Sequence, residues 1–176
     1  LLDMYYYNYK FVRYAWNINL SQRGRQKLID AYDSSIYFAD TFIKRLWSDL
    51  ESLEPIFIIH GDHGDAFGEH GFYKHPSMLY QELIHVPLVI YNADIKGKVE
   101  KPFSLKDLPS LILELVGKKH SSISTIRGKD WVISKAINDG NIKLALVMKN
   151  WKFIRGQKPK DELYYLKNDP YEQKNL

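Results

Sequence analysis

The sequence predicts an α/β fold with a mainly parallel sheet, flanking helices and a small C-terminal antiparallel sheet. A helical repeat of apolar residues over 25–50 precedes a short, continuous apolar run at 56–59. A second apolar run at 86–91 is followed by a helical pattern at 104–117. Alternation of helical patterns with short apolar runs is typical of a sheet covered by helices. Short extended runs within 144–166 then predict the smaller antiparallel sheet.

Two segments carry the pattern of an amphipathic helix. In the first, apolar residues recur at steps of three and four from Leu28 to Leu50, which is the spacing of one helix face. Pro55 stops this pattern, because proline disrupts a helix interior. In the second, Ser104 stands at the capping position and Gly117 closes the segment, so a helix is predicted over about 104–116. We expect both helices to pack on the main sheet.

Two short runs, Ile56–Ile59 and Val86–Tyr91, are the predicted strands of the main sheet. Ile56–Ile59 is continuous, apolar and rich in β-branched residues, which is typical of a strand buried on both faces of a parallel sheet. We expect the two strands to be neighbours or near neighbours. Further along, Leu144–Met148 and Trp151–Ile154 flank a two-residue turn and predict a hairpin, followed by a strand at Leu163–Leu166.

Composition excludes several classes of protein and site. The chain has 176 residues, 25 Lys+Arg against 21 Asp+Glu, and no cysteine. Without cysteine, thiolate zinc sites and a cysteine nucleophile are excluded within this stretch. The net charge of +4 fits an anionic substrate, but there is no clustered basic face, so no nucleic-acid partner is expected. No apolar run approaches the ~20 residues of a membrane-spanning helix, and no membrane partner is expected.

We divide the chain into three regions. Residues 1–24 are rich in aromatic side chains and are expected to belong to a missing N-terminal region. Residues 25–118 form the C-terminal part of the α/β domain, and residues 119–176 a small antiparallel subdomain. The chain opens at Leu1 without a methionine or a signal segment, so we expect further sequence upstream. The lack of cysteine is compatible with a cytoplasmic protein but does not identify the compartment.

The candidate chemistry lies in one loop. Five histidines fall within residues 60–85, directly after the first predicted strand. Ligands bind outside the carboxyl ends of strands in open α/β sheets, so this is the expected place for a site. Gly61 and Gly64 bracket Asp62 and His63 and allow a tight turn that directs both side chains to one point. A carboxylate beside an imidazole can bind a divalent cation, although a single such pair can also merely cap a turn.

A longer set of motifs resembles the sulfatase family of the alkaline phosphatase superfamily. The motifs are GDHGDAFGEHG at 61–71, LYQE at 79–82 and HVPLVI at 85–90. The family patterns look like S-D-H-G-[DE]-x-x-G-E-H-G, L-Y-[DE]-E and R-V-P-L-I-I. The segments around them are also similar, so that the resemblance covers about residues 24–176. It implies an incomplete alkaline phosphatase/sulfatase-like fold.

The resemblance implies a metal site and a substrate-side group. The family's late metal pair falls on Asp62 and His63. It implies a divalent metal, most readily Ca²⁺, with Mn²⁺ or Zn²⁺ as alternatives. A basic residue that contacts the ester falls on His75 or Lys74, because the register is ambiguous there. His70 lies near the site, with a catalytic or a structural role left open.

The loop also contains two acidic residues that are expected to have a structural role. Asp65 and Glu69 are expected to hold the loop by hydrogen bonds rather than to bind metal.

The expected function is that of a C-terminal portion of a metal-dependent sulfuric ester hydrolase. The family's nucleophile segment, C-x-P-x-R or S-x-P-x-R, is absent from the 176 residues, so the nucleophile and an early metal pair are expected in a missing N-terminal half. The substrate is expected to be an anionic sulfate or phosphate ester, and this chain alone is expected to be inactive. A phosphatase, phosphodiesterase or phosphoethanolamine-type transferase, favoured slightly by His63, and a non-catalytic interaction domain are the alternatives.

Overall fold

A computed structural model describes residues 20–117, 127–138 and 140–176. Most of the predicted aromatic segment and residues 118–126 lie outside the described residues. The elements follow in the order α1 (Gln22–Leu50), β1 (Phe57–His60), β2 (Ala66–Phe67), β3 (Tyr73–Lys74), α2 (Gln81–Ile84), β4 (Leu88–Tyr91), α3 (Leu108–Leu115), β5 (Trp131–Asn138), β6 (Asn141–Met148), β7 (Trp151–Arg155) and β8 (Glu162–Tyr165). Short 3-10 turns, Glu51–Leu53 and Leu105–Asp107, follow α1 and precede α3.

Helix α1 confirms the long helix predicted from the apolar repeat. The Ser21 hydroxyl oxygen caps it by accepting a hydrogen bond from the Gly24 N–H at 3.2 Å. Near its other end, the Trp47 ring meets Phe57 of β1 and Tyr91 of β4 edge-on, with centroid distances of 5.4 and 4.7 Å. Aromatic contacts of this kind stabilise the packing of a helix on a sheet, and here they seat the end of α1 on the β1–β4 pair.

The apolar face of α1 is nevertheless left largely uncovered in the described chain. No residue of the helix is buried, and Ile36, Tyr37, Phe38 and Phe42 are all more than half exposed. A helix of 29 residues is about 44 Å long, which is too long for a pair of strands to cover. No helix among the described residues is long and apolar enough to cross a membrane.

Strands β1 and β4 are neighbours, as expected, but they run antiparallel, with Phe57 opposite Tyr91 and His60 opposite Leu88. The predicted mainly parallel sheet is not found in the described residues, where every strand pair is antiparallel. A parallel neighbour requires a crossover, usually a helix. The connection from β1 to β4 instead contains the β2–β3 ribbon and a helix of four residues. Strand β1 is also only half-buried rather than covered on both faces.

The predicted C-terminal antiparallel sheet is present with four strands in the order β5-β6-β7-β8. The predicted hairpin is confirmed, with Met148 opposite Trp151 across its turn. Strand β5 was not predicted, because Ser134 and Lys135 interrupt its apolar residues. All four strands lie side by side in chain order, so each pairing is formed between consecutive segments.

The core lies between the β2–α2 segment and the C-terminal sheet. It contains aromatic and aliphatic side chains from both, namely Ala66, Phe72, Met78, Leu79, Tyr80, Leu83, Ala145, Ile154 and Tyr164. The buried charged residues Lys143, Lys152, Glu162 and Glu172 belong to the sheet and the residues after it. The loop that was predicted to carry the chemistry is therefore held by the C-terminal sheet.

Candidate metal centre

Three side chains converge on the loop that follows β1. His63, Asp65 and His75 each offer a ligand atom, and these atoms lie within 4.8 Å of one another. The two imidazole rings are 4.2 Å apart between centroids, and His75 Nδ1 is 2.8 Å from Asp65 Oδ1. Among the described residues, no other group of three or more histidine, cysteine or acidic side chains has its ligand atoms this close together. We call these three residues the loop cluster, and residues 61–80 the site loop.

The β2–β3 ribbon brings residues 65 and 75 together. Its strands pair antiparallel, with Ala66 opposite Lys74, so the residues just outside this pair, Asp65 and His75, face each other. The turn between the strands contains Gly68, whose φ of +102° is accessible mainly to glycine. The ribbon therefore converts a separation of ten residues in sequence into a hydrogen-bonded contact.

Gly64 holds the start of the site loop against α2. Its N–H donates to the Leu83 carbonyl oxygen at 2.9 Å, and a Cβ added at this position would overlap the Glu82 carbonyl oxygen. Gly64 and Gly61 do not have a positive φ, so the predicted tight turn is not what requires glycine here. The requirement at Gly64 is space, because the backbone of α2 lies where a side chain would start.

Hydrogen bonds define which ring nitrogens of the cluster can act as ligands. His63 Nδ1 is 3.1 Å from the Gly64 carbonyl oxygen, and His75 Nδ1 faces the Asp65 carboxylate. Both oxygens only accept hydrogen bonds, so in the neutral form of each ring the proton lies on Nδ1. The Nε2 lone pair of that form is then available to a metal or a substrate proton.

Asp62 lies beside the loop cluster and is highly exposed. Its Oδ1 accepts the His63 N–H at 3.0 Å, and its Oδ2 is 3.9 Å from His63 Nε2. Its side chain is 86% exposed. Hydrogen bonds from its own N–H and that of His63 lower the pKa of Asp62, with a smaller contribution from the His63 charge. The predicted pair Asp62 and His63 thus lies at one strand end, although Asp62 is not a member of the three-residue group.

Asp65 is expected to hold the loop by hydrogen bonds, and it does contact His75, but its carboxylate is also a member of the loop cluster. Glu69 does hold the loop, since it accepts the Phe67 N–H at 2.5 Å and pairs with Arg25 at 3.5 Å. The sequence contains a signal for the contact between Asp65 and His75. Gly68 and a glycine three residues later mark a turn, and such a turn pairs residues on either side of it.

Lys74, the second candidate for a substrate-side base, occupies the last position of β3. Its φ is 62°, a left-handed conformation that residues other than glycine seldom adopt. This unusual backbone comes immediately before His75. A substrate-side role for Lys74 stays a prediction, whereas His75 is in contact with both other members of the loop cluster.

His70 is not part of the loop cluster and is buried. Its Nδ1 is 2.7 Å from Glu82 Oε1, and its Nε2 is 2.9 Å from the carbonyl oxygen of Glu172. The ring stacks on Tyr80 with centroids 3.6 Å apart and planes within 1°. The side chain is only 8% exposed, so the candidate catalytic residue His70 faces the protein interior rather than the cluster.

The donor set of the loop cluster fits a divalent transition metal. Two imidazoles and a carboxylate are ligands that Zn²⁺ and Mn²⁺ accept readily. Ca²⁺ prefers a shell of six to eight oxygens, which two imidazoles do not provide. The exposed Asp62 carboxylate is close enough to His63 to add an oxygen to such a shell.

Comparison with known proteins identifies the family. The family model described as Sulfatase matches residues 3–118, which is more than half of the chain. The chain belongs to the sulfatase family. The match includes the site loop with its cluster, and sulfatases and their superfamily relatives depend on a metal.

Two curated relatives show different chemistries within the superfamily. The chain is 33% identical over 94 residues to the phosphoethanolamine transferase EptA of Helicobacter pylori, covering 50% of this chain and 18% of that protein. It is 27% identical over 160 residues to the delta 4,5-hexuronate-2-O-sulfatase of Bacteroides thetaiotaomicron, covering 78% of this chain and 33% of the relative. The chain therefore spans a third or less of the curated relatives it matches.

A solved structure shows a similar fold. BT4656 in complex with its substrate D-glucosamine-2-N,6-O-disulfate superposes with a TM-score of 0.71 at 20% identity. The superposition covers 96% of this chain and 41% of that one. The described elements thus form a part of an alkaline phosphatase-like fold.

Proposed function

We propose that this chain is the C-terminal portion of a metal-dependent sulfuric ester hydrolase. The observation that carries the proposal is the convergence of His63, Asp65 and His75 after β1, in a chain of the sulfatase family. The exposed carboxylate of Asp62 beside His63 supports a metal site at the same strand end. An open cluster of this kind leaves room for an anionic ester to approach from solvent.

Each residue of the site is assigned a role by its chemistry. Asp62 and His63 hold the metal, with Asp65 as an additional ligand or as the group that orients His75. A bound divalent cation would neutralise the negative charge of the sulfate oxygens. His75 faces the substrate, where its Nε2 can exchange a proton with the ester oxygen, because Asp65 fixes the proton on Nδ1. Lys74, directly before it, supplies positive charge for the same oxygens.

The nucleophile is proposed to lie outside these 176 residues. The chain has no cysteine, and sulfatase chemistry requires a nucleophile in addition to metal ligands and a proton donor. We therefore propose that the chain binds metal without completing turnover. The family resemblance favours Ca²⁺, whereas an imidazole ligand such as His63 supports Mn²⁺ or Zn²⁺.

A phosphate-ester activity is the second candidate. The relative at 33% identity is a phosphoethanolamine transferase, and His63 stands where many sulfatases have asparagine. Imidazole in place of an amide strengthens the site for Zn²⁺. This candidate uses the same metal and substrate-side residues and differs in the ester that is cleaved.

The experiment is a calorimetric titration of the 176-residue chain with Zn²⁺, Mn²⁺ and Ca²⁺, combined with turnover assays on 4-nitrophenyl sulfate and 4-nitrophenyl phosphate. We expect one ion to bind per chain, Zn²⁺ or Mn²⁺ more tightly than Ca²⁺, and no turnover of either ester. The His63→Ala variant should lose binding, and Asp161→Ala, an exposed aspartate of the C-terminal subdomain, should retain it.

Two results would contradict the proposal. Equal metal affinity in wild type and His63→Ala would exclude the loop cluster as the site. Metal-dependent turnover by the isolated chain would show that the nucleophile lies within it, and the preferred ester would then decide between sulfate and phosphate chemistry.

A further inference from the structure

The surroundings of His70 determine its protonation state. Both ring nitrogens lie within hydrogen-bond distance of acceptors, Nδ1 of the Glu82 carboxylate at 2.7 Å and Nε2 of the Glu172 carbonyl at 2.9 Å. A carboxylate and a carbonyl oxygen cannot donate a hydrogen bond. A neutral imidazole carries one N–H and can satisfy only one of them. Both bonds are satisfied together only when the ring is an imidazolium.

The groups around the ring accommodate this charge. From α2, Glu82 faces the ring directly, and from the residues after β8, Glu172 contributes its carbonyl. The Glu172 carboxylate pairs with Lys152 of β7 at 2.6 Å, and both side chains are fully buried. The ring therefore belongs to a group of two cations and two carboxylates whose charges balance.

Uncharged and more distant groups complete the environment. The Tyr80 ring stacks on His70, and Phe72 lies beyond it with a centroid distance of 6.2 Å. The Gln173 amide nitrogen, which donates to the Tyr171 carbonyl at 2.8 Å, is 3.4 Å from Nε2, so a neutral Nε2 would accept this longer bond in place of donating to the Glu172 carbonyl at 2.9 Å. A cavity of about 460 Å³ borders the ring and is also lined by Lys158, Lys160, Glu162 and Tyr164. Burial lowers the pKa of His70, but the bonds to Glu82 and to the Glu172 carbonyl outweigh it, and the pKa is raised above its ordinary value.

Contacts of the same groups reach the loop cluster. The Glu172 carboxylate accepts the Gln81 N–H at 2.6 Å, at the first residue of α2. The Leu83 carbonyl, in the same helix, accepts the Gly64 N–H, and Gly64 directly follows His63. Residues 166–176, the C-terminal tail, thus hold α2 directly at Gln81 and through His70 at Glu82, and α2 holds the start of the site loop.

We infer that His70 is a positioning residue, an imidazolium that joins α2 to the C-terminal tail and thereby fixes the site loop in the conformation that assembles the loop cluster. The significance for metal binding rests on the proposed function, whereas the link between tail and loop does not. His70 acts here through Glu82 and α2 and does not touch the substrate or the metal.

The test begins with the ring itself. In the 176-residue chain with ¹⁵N-labelled histidine, both His70 nitrogens should show the chemical shifts of protonated nitrogen at pH 7.5. In Glu82→Gln the charge that holds the second proton is gone, and we expect one protonated nitrogen. Glu100→Gln removes an exposed carboxylate elsewhere and should leave the ring charged. A neutral His70 in the wild-type chain would overturn the inference.

The second measurement tests the conformation of the site loop in the absence of metal. Amide hydrogen exchange of Gly64 reports its bond to Leu83, and we expect at least tenfold faster exchange in Glu82→Gln and in His70→Gln than in Glu100→Gln. Unchanged Gly64 exchange in both variants would overturn the positioning role. A wild-type chain that binds no Zn²⁺ would contradict the proposed function alone, because the ring and exchange measurements are made without metal.

Discussion

The site loop contributes histidines to two sets of charged and polar side chains that lie in opposite environments. In the loop cluster, His63 and His75 side chains are 47% and 54% exposed. In the second set, which we call the loop–tail junction, His70 is 8% exposed and the Lys152–Glu172 pair is fully buried. The histidines of one loop are thus divided between an open surface and the interior.

Histidines of the same loop therefore have different functions, depending on whether they are exposed or buried. In the loop cluster Nδ1 of each ring lies against a protein oxygen, and the half-exposed rings leave Nε2 available to a ligand. At the junction the protein itself contacts both His70 nitrogens, and the buried charges of Lys152 and Glu172 are paired with each other. Loss of a junction group should therefore destabilise the fold, and loss of a cluster group should change ligand binding with little effect on stability.

The largest effect is expected at the buried ion pair of the junction. Lys152→Met leaves the Glu172 carboxylate buried without its partner, and the cost of breaking such a pair is about 3–5 kcal/mol in the free energy of unfolding. The matched control is Lys98→Met, because Lys98 forms an exposed pair with Glu100 that is worth about 1 kcal/mol or less. Urea denaturation measures both.

A double variant sharpens this test. Lys152→Met combined with Glu172→Gln removes both charges, so its cost should be smaller than the sum of the two single costs. A Lys152→Met variant as stable as Lys98→Met would show that the buried pair does not hold the tail.

A smaller loss of stability is expected where the site loop meets α2. Gly64→Ala places a Cβ against the Glu82 carbonyl oxygen, and overpacking of this kind costs about 1–3 kcal/mol. Gly61→Ala is the control, since its Cβ would meet Val86 at 3.3 Å and the contact is with a side chain. We expect a clearly lower denaturation midpoint for Gly64→Ala. A Gly61→Ala variant that is equally or more destabilised would contradict the account.

The pH dependence of stability gives a further, smaller effect. Burial lowers the folded-state pKa of His70, but the pKa is raised overall because the bonds to Glu82 and to the Glu172 carbonyl outweigh the effect of burial. Its contribution to stability is therefore full below the unfolded pKa of about 6.5 and is lost as the pH rises through the folded pKa. The difference in unfolding free energy between wild type and His70→Gln should shrink from pH 6 to pH 9. A difference that grows over this range has the wrong sign for a histidine held as a cation.

Local sequence patterns predicted those elements that depend on neighbours in the chain. The apolar repeat predicted α1 because helix periodicity is a local property, and the turn at 149–150 predicted the hairpin of β6 and β7. The direction of β1 relative to β4 cannot be predicted from a local sequence pattern. It depends on how the connection between them packs, and that connection packs against the C-terminal sheet instead of crossing over β1.

The same distinction applies to the site. The position of Asp62 and His63 directly after a strand predicted where chemistry would lie, and the structure places both at that strand end. The contact of Asp65 with His75 depends on the register of the β2–β3 ribbon. The burial of His70 depends on Glu172, which is 102 residues further along the chain. No pattern within the site loop could have separated His70 from His75.

The most direct measurement of the central claim is a Zn²⁺ titration of the chain with ¹⁵N-labelled histidine. It observes the cluster and the junction in one sample. We predict that the ring signals of His63 and His75 shift together and saturate at one ion per chain, while the signals of His70 keep their positions. Binding that shifts His70, or leaves His63 and His75 unchanged, would contradict the division of the site loop into a metal centre and a structural junction.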